Sequence, residues 1–247
     1  MKKIVFILLV LMLSCSSENA NDCFQTTGEI IQQEVSVPDF DEILVNRDIE
    51  LVLSAGAETK VIIETGEYLL SDIEAKVIDN RLELTNDNTC NYVRDYGITK
   101  VFVTAPNVGE IRSSSQFDVS SQGVLNYSSL RLISEDFNND DVFAVGDFRL
   151  DVDSEEIIIT SNKISSFYIS GQAENLHVAF YGGAGRFEGS NLVAQNVSVF
   201  HRGSNDMIVN PQQSISGELR SVGDVISMNR PPTIDVETFY TGRLIFN

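Results

Sequence analysis

The chain has 247 residues, enough for one or two domains. Apolar residues make up 43% and charged residues 21%, which excludes a wholly disordered chain. Lys and Arg number 17 against 36 Asp and Glu, a net charge of −19, so nucleic acid is not an expected partner, and two His leave little material for histidine-based catalysis.

Residues 1–14 have the layout of a signal peptide. Lys2 and Lys3 precede an unbroken apolar run at residues 4–13. That run is too short to cross a hydrocarbon core of about 30 Å as a helix. It stops at Ser14-Cys15, and a small residue followed by Cys after an apolar core resembles a bacterial lipobox. Cys15 would then be the lipidated amino terminus of the mature chain. Leu13 and Met12 depart from the usual residues, and the alternative is a plain secretory signal cleaved nearby. Two or more acyl chains make anchoring stable, each buried CH₂ contributing about 0.8 kcal/mol. The expected location is the cell envelope, as an outer-membrane lipoprotein on the surface or in the periplasm, with the lipid as the membrane contact. Residues 15–28 are polar and small and read as a tether. With Cys15 acylated, Cys23 and Cys90 remain, and two thiols in an oxidising compartment predict one disulfide.

Residues 29–106 read as a β-rich N-terminal region. Alternating or β-branched runs cover residues 30–37, 43–46, 49–54, 60–65, 81–85 and 99–104. Leu69, Leu70 and Ile73 suggest one helical turn over residues 68–75, and Asp79-Asn80 predicts a tight hairpin. Residues 107–247 have a different rhythm, in which short apolar alternations end in polar corners. Aligning Ile111, Leu132, Val152, Ile169, Val199, Leu219 and Phe239 as inward residues gives steps of 21, 20, 17, 30, 20 and 20. The long step spans Tyr181-Gly182-Gly183-Ala184-Gly185 and suggests a wider coil there. A period near 20 predicts an all-β protein built as a parallel β-helix, or β-solenoid, whose coils dry their interior only by stacking. A β-sandwich with similar strand spacing is the alternative.

The chain also resembles a known family. Phe40-Asp41-Glu42-Ile43, Asp48-Ile49-Glu50-Leu51-Val52-Leu53, and Val101-Phe102-Val103-Thr104-Ala105-Pro106-Asn107-Val108 with Glu110-Ile111 are similar to the GIN-type head domains, an auto-transporter adhesin family of Bacteroidetes lipoproteins. That family's repeated Ser-Gly-Ser-Gly-Asp corners survive here as Ser113-Ser114-Ser115-Gln116-Phe117-Asp118 and Ser221-Val222-Gly223-Asp224-Val225, with most corner glycines lost. The resemblance implies a parallel β-helical body at or near the cell surface. It implies no enzyme and assigns no ligand.

No phosphate loop, His-Glu-x-x-His or Cys-x-x-Cys motif occurs, and no catalytic residue is assigned. His177 and His201 read as surface or strand histidines. Asp136, Asn138 and Asp140 have the 1-3-5 spacing of a Ca²⁺ loop, but Asp141 stands where that loop needs Gly, so a solvated acidic loop is the default and no cofactor is expected. Tyr168, Phe180 and Tyr181, with Gly182 and Gly183, form the candidate ligand patch, because aromatic faces suit sugar stacking. The expected function is non-catalytic: adhesion, contact with a glycan or other cell-surface ligand, or an envelope-structural role. A protein–protein scaffold comes second, and a polysaccharide-cleaving enzyme on a β-helix third.

Overall fold

The computed structural model describes residues 22–88, 90–137 and 142–247. Residues 1–14, read as a signal peptide, Cys15, and Asn138 and Asp140 of the expected acidic loop lie outside these residues. The described chain is all-β. Its first strands are β1 (Ile30–Val35), β2 (Glu42–Val45), β3 (Glu50–Ala55) and β4 (Lys60–Gly66). Then come β5 (Ile73–Ile78), β6 (Arg81–Asn86), β7 (Lys100–Ala105), β8 (Glu110–Ser113), β9 (Val119–Leu125) and β10 (Ser129–Ser134). Four long strands follow: β11 (Phe148–Ser161), β12 (Ser166–Phe180), β13 (Arg186–His201) and β14 (Met207–Leu219). Three short ones close the chain: β15 (Val225–Ser227), β16 (Thr233–Thr238) and β17 (Leu244–Phe246).

Two parallel ladders organise the molecule. One runs β6-β2-β8-β10 and on through the C-terminal halves of β11 to β14 to β16. The other runs β7-β3-β9, then through the N-terminal halves of β11 to β14 to β15 and β17. Early in the chain two short strands serve the two ladders; from β11 to β14 one long strand serves both, and β15 to β17 return to short strands. Among the described residues, antiparallel pairing is confined to β1 with β4, β4 with β7, and β5 with β6. From β8 onward every pairing among the described residues is parallel, unlike the neighbours a sandwich requires.

Parallel register stacks equivalent side chains in rows. Leu51, Val119, Phe148, Phe167, Phe187, Met207 and Val225 lie opposite one another in succession, and all are fully buried. Phe148 and Phe167 stack with ring centroids 4.7 Å apart. Each strand contributes one layer of this row, so no strand can remove its own apolar side chain from water unaided.

The register corrects four expectations. The wider coil is not at Tyr181–Gly185, because Ser166 lies opposite Arg186, a step of 20. A longer step lies between β10 and β11, where Ser129 pairs with Glu156 at a step of 27. Leu132 continues Ile111 as expected, but the next residue in that row is Ile159, whereas Val152 faces Gly171. Bulges between residues 168 and 171 and between 188 and 193 shift the later register. Phe239 is 51% exposed, because Leu219 pairs with Thr238, so Phe239 falls just past β16 and outside the inward row, with the Arg220 guanidinium 4.1 Å over its ring. The helical turn shrinks to a 3₁₀ turn at Leu70–Asp72, since Ile73 onward pairs with β6. The hairpin stands where expected, with Asp79 and Asn80 at φ of 49° and 68° in the two-residue loop.

Candidate functional site

Alternation along β12 sorts the aromatic pairs. Phe167 points inward and Tyr168 outward; Phe180 points inward and Tyr181 outward. Phe180 is fully buried, its ring 5.8 Å from Phe167 and 6.1 Å from His201, so it is core and not part of a ligand surface. Tyr168 and Tyr181 are both exposed, but Tyr168 is near the start of β12 and Tyr181 just past its end. Tyr168 lies under the Arg149 guanidinium at 4.1 Å, and Arg149 is itself held by Asp118 and Asp147.

Tyr181 has different companions. Its ring is 5.4 Å from Phe137 in an edge-on arrangement and 5.1 Å from Phe200. Phe137 is 55% exposed, Tyr181 is 42% exposed, and Phe200 is half-buried. Phe137 is held from behind, where its backbone N–H donates to Glu135 at 2.6 Å and Glu135 pairs with Arg112. Next to it, Asp136 accepts from Lys163 at 2.6 Å and from Asn162 at 2.8 Å. Hydrogen bonding from Lys163 holds the Asp136 carboxyl below the usual carboxylate range. The result is a three-ring step with an amide and an ion pair along its margin. Sequence reasoning missed Phe137 and Phe200, since only the register brings the stretch after β10, the residue after β12 and the end of β13 together.

The glycines have separate roles. Gly183 has φ of 77°, and a Cβ there would sit 1.9 Å from the Lys163 carbonyl oxygen. It lets this corner close onto the one before it. At Gly182 the nearest atom to a built Cβ, the Asn162 carbonyl, is at an ordinary 3.6 Å.

A second concavity, a trough of about 480 Å³, lies where β11, β12 and β13 bend. Asp153, Glu155, Gln172, Glu174, Val193 and Gln195 line it, together with the Asn126–Ser128 turn; no Lys, Arg or His lines it. Neither histidine is placed for proton transfer here. His201 is fully buried, its Nε2–H donates to the Asn205 carbonyl at 2.8 Å, and its Nδ1 accepts from the Gly203 N–H. Burial pushes its pKa down, against the opposing hydrogen bond to Asn205. His177 is exposed, 3.7 Å from Glu156. Among the described residues, no group of three or more His, Cys, Asp or Glu is placed to hold a metal ion.

Cys23 and Cys90 are disulfide-bonded, closing a loop of 67 residues. Among the described residues, no helix is long and apolar enough to cross a membrane.

These features define an all-β protein with stacked parallel ladders and an exposed aromatic step. The chain belongs to the family described as "Putative auto-transporter adhesin, head GIN domain", which it matches over residues 39–231. Its fold is similar to that of a "putative adhesin" from Bacteroides fragilis, at a TM-score of 0.80 and 19% identity, covering 90% of this chain and 99% of that one. A "putative lipid binding protein" from Parabacteroides distasonis matches at a TM-score of 0.60 and 11% identity, over 90% and 98%. A "putative adhesin" from Parabacteroides merdae matches at 0.58 and 13%, with the same coverage. No curated protein matches the chain in sequence.

Proposed function

We propose that this chain is a non-catalytic lipoprotein of the cell envelope, anchored through Cys15, whose ladders wind as the coils of a β-solenoid and present a glycan-binding flank. One observation carries the binding part: Phe137, Tyr181 and Phe200 form a contiguous, solvent-open step bordered by Asn162 and the Asp136–Lys163 pair. Aromatic faces take up the C–H face of a sugar ring, while neighbouring amides and charges meet its hydroxyls. Polysaccharide cleavage would call for an acid–base pair or a Lys or Arg base in a groove. The trough offers carboxylates and amides without such a cation, which supports binding over chemistry. The adhesin names carried by the family and two of the neighbours agree with a surface role.

A glycan-array screen of residues 22–247, a span that retains Cys23, tests this reading with and without Ca²⁺. The expected result is a defined set of bound glycans, with Tyr181→Ala weakening binding by roughly tenfold, about 1.4 kcal/mol of lost apolar contact. Blank arrays would remove the glycan reading. The runner-up is a protein–protein scaffold. Its motivation is the last rung, where β16 and β17 each pair on one side and Ile234, Phe239 and Tyr240 are exposed.

A further inference from the structure

Beside the disulfide, two short segments expose four large apolar side chains. Phe24 ends the 3₁₀ turn Asp22–Phe24, and Tyr92, Val93 and Tyr96 follow Cys90. Tyr92 is 75% exposed and Tyr96 74%, and the Phe24 and Tyr92 rings lie 5.9 Å apart. The segments behave as one piece. The disulfide joins them, and the Tyr92 N–H donates to the Cys23 carbonyl at 2.9 Å. Arg94 ties them from within, donating to the carbonyls of Asp22 at 2.7 Å, Gln25 at 3.0 Å and Cys90 at 3.0 Å, and to the Asn88 side chain. Arg94 is the one basic residue in residues 90–97, and its donors are turned into the protein. The outward side of this segment therefore presents rings, phenol hydroxyls and the exposed Asp95, with no outward cation.

Chain length decides what this end can meet. Six residues lie between Cys15 and Asp22, which makes seven steps along the chain. An extended chain covers at most about 3.3–3.6 Å per residue, so Asp22, two residues before Phe24, lies within roughly 25 Å of Cys15. If the proposed lipid sits on Cys15, a reading on which this inference rests, this end of the body is held against the bilayer. Tyrosine combines an apolar ring with a polar tip and concentrates at the membrane–water interface. We infer that Phe24, Tyr92, Val93 and Tyr96 seat in the interfacial layer of the anchoring bilayer, on zwitterionic lipid. With no outward cation in the segment, the attraction is apolar and needs no anionic headgroup. Docking turns the far end of the strand order, with Phe239 and Tyr240, away from the membrane.

The chain contains no Trp, so a single introduced Trp is an unambiguous reporter. The test uses the full acylated chain in phosphatidylcholine vesicles with or without brominated acyl chains. Tyr92→Trp reports the patch, Tyr96→Trp repeats the measurement at a second exposed position, and Tyr240→Trp is the control. Brominated lipid is expected to quench Tyr92→Trp and Tyr96→Trp at least twofold, with a blue-shifted emission that survives high salt, and to leave Tyr240→Trp unchanged. Equal and weak quenching of all three on acylated, vesicle-bound protein overturns the inference, leaves the anchor standing and gives the patch to a protein partner. Intact mass without acyl chains on Cys15 overturns the anchor reading itself, so the two failures are distinguishable.

Discussion

His201 shows how much a stacked interior constrains a single side chain. Opposite Phe180 on one side and Leu219 on the other, it occupies a core row as a neutral imidazole with both ring nitrogens engaged. Burial lowers its pKa from the ordinary value of 6.5. The native state therefore resists a proton that the unfolded chain accepts. Stability from this group is full above about pH 6.5 and is lost as pH falls below that value, with a slope of at most about 1.4 kcal/mol per pH unit for one proton. Urea midpoints measured from pH 7.5 to 5.5 should fall for the wild type and fall less for His201→Phe, even though that variant is less stable throughout. Equal slopes would place the proton-sensitive group elsewhere. The spacing of the two histidines carried no sign of this, because burial of a strand residue depends on which face the register turns inward.

At the scale of elements, the corners decide how closely successive strands stack. Gly183 and Gly182 are neighbours with the same side chain and opposite constraints. Replacing Gly183 by Ala places a Cβ against the Lys163 carbonyl in a left-handed conformation, so a loss of roughly 1–3 kcal/mol is expected. Gly182→Ala should stay within about 0.5 kcal/mol. Chemical denaturation of the two variants side by side separates them, and an unaffected Gly183→Ala would mean the corner relaxes freely. This pair also shows why a sequence reading expected a longer coil here. Several glycines in a row look like slack in the chain, whereas in the folded protein they permit the tighter path. The longer step lies instead between β10 and β11, and Phe137, just after β10, meets Tyr181.

For the whole molecule, the Cys23–Cys90 bond ties the chain's N-terminal segment to the body over a 67-residue loop. Loop-closure entropy gives about 4 kcal/mol for a link of that length. Cys23→Ser with Cys90→Ser should lower the free energy of unfolding by up to that amount. The aromatic patch should then lose its rigid mounting, visible as faster amide hydrogen exchange across residues 90–97. Unchanged exchange would show that the Arg94 hydrogen bonds hold the segment without the bond. The acidic surface acts at this scale as well: its repulsion of anionic partners is independent of where any single carboxylate lies.

The sequence by itself determined the β character, six strand positions in residues 29–106 to within about two residues, the hairpin at Asp79-Asn80 and the family. Those follow from alternation, turn chemistry and local motifs, which act over a few residues. Only the tertiary structure decided which residues share a row, that Phe180 is core, and that Phe137, Tyr181 and Phe200 meet. A one-residue shift in pairing turns a strand over, and each bulge shifts the pairing. Contacts between strands some twenty residues apart are therefore set by the register of the stack and not by any local signal.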